Sequence, residues 1–188
     1  MKNETDAIET NRAVLRCNGR IWREEAGIIC FPVTSDGTTG PEWSVRLENK
    51  SYLVSPNAKS MLFSRRFKPT NDVQSNVAVL RGMLFQDNYR TMGRIIAQSE
   101  LRKLRTLNAE VACLICEMFT NAEIKNMGLA RIIAMHVPLN DMNGLPHLLC
   151  VGHMADKHSL YERSGGSGDL HDRDSGFAFA APQPRSEN

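Results

Sequence analysis

Apolar positions recur along this chain with two periods, and the change between them falls near Gly128. Upstream, most apolar residues fall at helical spacing. Gly40-Pro41 opens a predicted helix, because a proline's missing N–H has no partner in the first turn anyway; Trp43 and Leu47 share its face. Ser55-Pro56 repeats the device as N-cap and first helical residue, followed by Ala58, Met61 and Leu62. Met92, Ile95, Ile96, Leu101 and Leu104 predict a helix within residues 90–105. Asn108 caps another, running to Phe119 with Val111, Leu114, Ile115 and Met118 inward. Thr120-Asn-Ala-Glu123 is a capping box, and Gly128 a C-cap. Two upstream runs break the rule. Gly27–Val33 is short, apolar and closed by Ser35-Asp-Gly37, which suits a strand. Val77–Phe85, β-branched at its start, reads first as a covered strand and second as a buried helix.

Downstream, Leu129–Leu139 and His147–His153 predict strands on either side of an Asn140–Gly144 turn. A polar run then leads to Phe177-Ala-Phe179, whose alternation aims both rings at one face of a strand. Burying two such rings stabilises by roughly 3–6 kcal/mol, at about 1.5–3 each, which a frayed tail would forgo. The polar run is therefore expected to be a loop anchored at both ends. Residues 1–26 read as a flexible extension, 27–128 as a mainly helical region, 129–183 as β-rich and 184–188 as a tail. The expected fold class is α+β, a helical N-terminal half packed on a mostly antiparallel β C-terminal half.

Composition narrows the picture little. The chain has 188 residues, 41% of them apolar, enough for a core. A formal net charge of +2 is too small to imply a nucleic-acid footprint by itself. No apolar run approaches the ~20 residues of a membrane span, and the polar N-terminus lacks a secretory h-region. Five irregularly spaced cysteines suit reduced thiols, so a cytoplasmic location is expected.

Several stretches taken together, Phe67-Lys-Pro-Thr70, Val79–Phe85, Asn108–Ile115, Met127-Gly-Leu129, Ala134-Met-His136 and Gly176-Phe-Ala-Phe179, resemble an uncharacterised family of short bacterial proteins from candidate phyla. The likeness spans residues 31–183. Cys116 and Val137 depart from the pattern, which has a basic residue and a glutamate there. The closing Gly176–Phe179 also resembles the end of C-type-lectin-like domains of the formylglycine-generating-enzyme type. In some bacterial versions of those domains, retroelements diversify the residues just before that strand. The resemblance implies a binding surface in the segment before Gly176, which is rich in Gly, Ser, Asp, His, Arg and Tyr.

Candidate chemistry is sparse. Cys113-x-x-Cys116 lies mid-helix on an apolar stripe, whereas redox pairs favour helix N-termini, so two buried structural thiols are expected. Cys150-x-x-His153 has zinc-like spacing but no second pair, and three residues along a strand the two point apart. The aspartates of 140–144 and 169–174 lack EF-hand spacing. Gly165-Gly-Ser-Gly168 lacks the lysine and helix of a phosphate loop. His136, on an apolar strand, is expected to be a satisfied core histidine. No nucleophile elbow or Ser-His-Asp order is present. The expectation is a non-enzymatic protein without cofactor or metal, binding an unknown protein or small molecule through the irregular region Gly152–Ser175. Its expected contact residues are His158, Tyr161, Arg163, Asp169, His171 and Arg173, aromatic and charged groups of the type that dominate hot spots. The alternative is a small DNA-binding regulator using the helices of residues 90–128, with nucleic acid as partner.

Overall fold

The structure is a computed structural model that describes residues 14–17 and 20–182. The described strands are β1 (Val14–Cys17), β2 (Arg20–Glu25), β3 (Ile28–Asp36), β4 (Leu53–Val54), β5 (Asn71–Arg81), β6 (Arg131–Ala134), β7 (Leu139–Asn140), β8 (Pro146–Met154), β9 (Lys157–Ser164) and β10 (Ser175–Ala180). The helices are α1 (Gly40–Asn49), α2 (Pro56–Leu62), α3 (Met92–Leu101), α4 (Glu110–Met118) and α5 (Asn121–Asn126). Two 3₁₀ turns, Gly82–Leu84 and Asp87–Tyr89, lead from β5 toward α3.

The described strands form one mixed sheet ordered β1-β2-β3-β5-β10-β6-β8-β9-β4, with β7 on β8. Most neighbours are antiparallel; β10 runs parallel to β6, and β4 parallel to β9. Strand alternation splits the apolar residues between two faces. Ile29, Phe31, Val77, Val79, Ile132, Leu149, Val151, Leu160 and Ala178 face a layer made by α1, α2, α4 and α5. Leu80, Ile133, Leu148, Cys150, Phe177 and Phe179 face the other way, where Met92 and Ile95 of α3 cover them.

The helix starts follow local chemistry. The Ser55 hydroxyl accepts the Ala58 N–H at 3.1 Å. At Thr120 the hydroxyl accepts from the Glu123 N–H at 3.3 Å, while the Glu123 carboxylate accepts the Thr120 N–H at 2.7 Å. Gly128, at φ +73°, ends α5 in the left-handed region.

The arrangement corrects several expectations. Helix and strand are not segregated into halves. β3 and β5 come from the first half of the chain, and β5 pairs directly with β10 from its end. The region 27–128 thus supplies strands to the sheet as well as helices. Residues 20–25 of the expected extension form β2, paired with β3 through Arg23–Cys30 and Glu25–Ile28. Residues 1–13, 18–19 and the expected tail at 184–188 lie outside the described residues. The region Gly152–Ser175 is not irregular throughout, because residues 157–164 are β9, paired along their length with β8. Only residues 165–174 form a loop. Its two ends are held by β9 and β10, as the buried rings of Phe177 and Phe179 require. Among the described residues, no helix is long and apolar enough to cross a membrane.

Candidate binding site

Residues 165–174 cross the sheet face opposite the four-helix layer and act as a strap. They are bound to the start of α3 by main-chain groups. Met92 N–H donates to the Asp169 carbonyl at 3.2 Å, Gly93 N–H to Ser167 at 3.0 Å, and His171 N–H to Arg90 at 3.0 Å. The Arg90 guanidinium, almost wholly buried, donates back from Nε to the His171 carbonyl at 2.9 Å. Gly82 permits the close crossing: a Cβ there would lie 2.7 Å from the Asp172 carbonyl oxygen and 2.8 Å from that of Arg173.

The strap and β9 together bring five of the six expected residues to one face of the sheet. β9 aims Tyr161 and Arg163 toward it. Tyr161 lies opposite Cys150 on the neighbouring strand. Burial pushes the Cys150 thiol up to about 12 and raises the Tyr161 phenol as well. The Asp169 carboxylate accepts the Gly166 N–H at 3.0 Å and fixes the strap's first turn. His171 is buried edge-on against Phe177, with ring centroids 5.3 Å apart. Neither of its ring nitrogens has a hydrogen-bond partner. Burial, with the positive charge of Arg163 next, holds its pKa below the usual histidine value. Arg173 is exposed and lines a cleft of about 620 Å³ with Met83, Gly128, Arg131, Asp172 and Asp174.

His158 does not join them. Alternation along β9 sends it to the helical face. There its Nε2 lies 2.8 Å from the Cys116 carbonyl and its Nδ1 2.7 Å from the Asn121 side-chain oxygen. Tyr52 meets it edge-on at 4.6 Å, so His158 is a packing and hydrogen-bonding residue of the α4–α5 contact.

Two strap-face residues escaped the sequence reading. Arg131, on β6, reaches the Asp172 carboxylate at 2.9 Å, and Arg163 lies 3.8 Å from the same oxygen. The available signal was a lone charge opening an otherwise apolar strand, Arg131-Ile-Ile-Ala134. Arg90 was the other, and nothing local marks it as the clamp of a loop eighty residues on.

A second polar cluster, also unforeseen, lies at the helical face beside β7. Asp141 Oδ2 is 3.3 Å from His147 Nε2, and the Asn57 amide donates to Glu162 at 3.0 Å, with the Ser55 hydroxyl beside it. Among the described residues, no group of three or more His, Cys, Asp or Glu is arranged to hold a metal ion. Cys150 and His153 point to opposite faces of β8, and Cys113 and Cys116 are buried with both thiols pushed up, chiefly by burial. His136 is satisfied, its Nε2 accepting the Leu149 N–H at 2.9 Å and its Nδ1 2.8 Å from the Val137 carbonyl.

No family model matches the chain, and neither the curated proteins nor the solved structures gave a significant match.

Proposed function

We propose that this chain is a non-enzymatic binding protein whose contact surface is the strap face: residues 165–174 with Arg131, Tyr161 and Arg163 beside them. The observation that carries the reading is His171. A buried imidazole with neither nitrogen partnered forgoes about 1–3 kcal/mol per unsatisfied group, and the strap residues that follow it, Asp172, Arg173 and Asp174, line an open cleft. Folds keep such arrangements where a ligand or ordered water completes them. The likeness of Gly176–Phe179 to the closing strand of lectin-like domains points the same way, since those domains carry their variable residues just before it. Nothing at the strap face favours chemistry on a bound molecule. Burial keeps the Cys150 thiol, opposite Tyr161, protonated.

The nucleic-acid alternative has less support from geometry. α3 lies on one face of the sheet and α4 with α5 on the other, so residues 90–128 share no common surface. α4 is also buried at Glu110, Val111, Ala112, Cys113, Ile115 and Cys116, leaving little to enter a groove.

A thermal-shift screen of the full chain against small molecules and short peptides tests the proposal. Binders found with the native protein should lose at least fivefold in affinity in Arg173→Ala, an exposed change expected to alter stability by no more than about 0.5 kcal/mol. Lys125→Ala, on α5, should leave them unchanged. Binders insensitive to Arg173 but lost in Lys125→Ala, or steeply salt-dependent binding of duplex DNA, would move the function to the helical side.

A further inference from the structure

Resting on the strap face as the binding surface, we infer that its ligand carries a carboxylate, which takes the place now held by the chain's own Asp172. The two guanidinium groups are carried by strands of the sheet, Arg131 on β6 and Arg163 on β9. Their side chains are 23% and 35% exposed. Asp172 rides on the strap and is 58% exposed. Only one of its oxygens is engaged, at hydrogen-bond distance from Arg131 and beyond it from Arg163. Such an exposed, one-sided ion pair is weak, and rotation of one side chain removes it. A ligand carboxylate entering from the cleft can engage both cations with two oxygens, the fork geometry that guanidinium groups favour.

Charge selects the class. The cleft wall carries two cations, Arg131 and Arg173, and two anions, Asp172 and Asp174. Exchanging one carboxylate for another keeps this balance. A dianionic phosphate would add negative charge beside Asp174. His171 supplies the second, independent indication. Next to Asp172 on the strap, its buried ring lies edge-on against Phe177, and neither ring nitrogen has a partner, which leaves an N–H to give. Met83, about half exposed, offers the cleft an apolar contact for the ligand's carbon body.

The test is an NMR titration of the full chain with three probes: propionate, an end-blocked peptide containing one glutamate, and inorganic phosphate. Saturable shifts of the Arg131 and Arg163 Nε–H groups and of the His171 ring are expected with a carboxylate probe. Response to propionate identifies a free acid as sufficient, and response to the peptide alone identifies an acidic side chain as the source. Arg131→Gln should weaken binding at least tenfold. Asp172→Asn should tighten it about two- to fivefold, the factor by which an exposed ion pair competes. That sign separates a displaced internal carboxylate from a merely structural one, whose loss would lower the melting temperature and leave affinity alone. The inference falls if neither carboxylate probe binds the native protein or Asp172→Asn, if Asp172→Asn binds no more tightly, or if only phosphate binds. Should the thermal-shift screen still yield binders sensitive to Arg173 in that event, the strap remains the binding surface and only its ligand class changes.

Discussion

Phe177 shows how much one residue can hold. Its ring is fully buried and meets both Phe85, at 6.3 Å, and His171, at 5.3 Å, edge-on. Phe177→Ala removes the floor beneath the strap as well as core volume. It should cost about 3–5 kcal/mol in denaturant unfolding; a loss under about 1 kcal/mol would mean the ring is not core. His136 makes a different prediction. Its neutral ring is bonded on both nitrogens, and burial lowers its pKa to about 4. The unfolded chain binds a proton below about pH 6.5 that the folded chain refuses until about pH 4. The stabilisation is therefore complete above pH 6.5 and fades as the pH falls toward 4, by up to about 3 kcal/mol. His136→Gln should be less stable than the native protein at pH 7 and lose less on acidification to pH 4.5. Equal losses in the two proteins would show that this ring does not titrate as a buried neutral group.

At the scale of the element, the strap and the sheet answer to one crossing point. Gly82→Ala places a methyl against two strap carbonyl oxygens, and no flexible side chain there can give way. Destabilisation by about 1–3 kcal/mol is expected, with faster amide exchange at His171, Met92 and Gly93 than elsewhere. Unchanged exchange at these three amides would mean the strap is held independently of Gly82. This crossing was not legible in the sequence, whereas the caps at Ser55 and Thr120 and the Phe177–Phe179 alternation were. The difference is one of range. A cap or a face is decided within four residues, but a strand's partner is not. β9 hid for a related reason. Its polar positions Glu162 and Arg163 have partners, Asn57 and Asp172, that only the fold brings near. The turn before it, Ala155-Asp156, adopts φ of 48° and 58° without the glycine or asparagine that usually announces a hairpin. Of the candidate site, the strap could be read from composition. Arg131 and the separation of His158 from its neighbours follow only from strand order.

For the whole molecule, the described cysteines give a measure of cooperativity. Cys30, Cys113, Cys116 and Cys150 are all free, the last three are buried, and Cys113 and Cys116 belong to one core with Cys150 in the other. Of these four, Cys30 should alkylate first under native conditions. The three buried thiols should react together, at a rate that follows global unfolding as denaturant is added. Mass spectrometry of timed alkylation checks this. Early modification of Cys150 alone would mean that the strap side opens independently of the helical side.

The position of β10 has a consequence for how the chain is made. It comes after every other described strand, yet it stands in the interior of the sheet between β5 and β6. Until residues 175–180 have left the ribosome, β5 and β6 each present an unpaired edge, and neither cluster of core residues can close. Between Ala134 and Ala180, synthesis at about 5–20 residues per second leaves that gap open for roughly 2–9 seconds. A nascent chain stalled within this window exposes two apolar strand edges to its surroundings, a target for chaperones and for other stalled copies. Emergence of β10, rather than growth outward from an early nucleus, then times the closing of both core clusters.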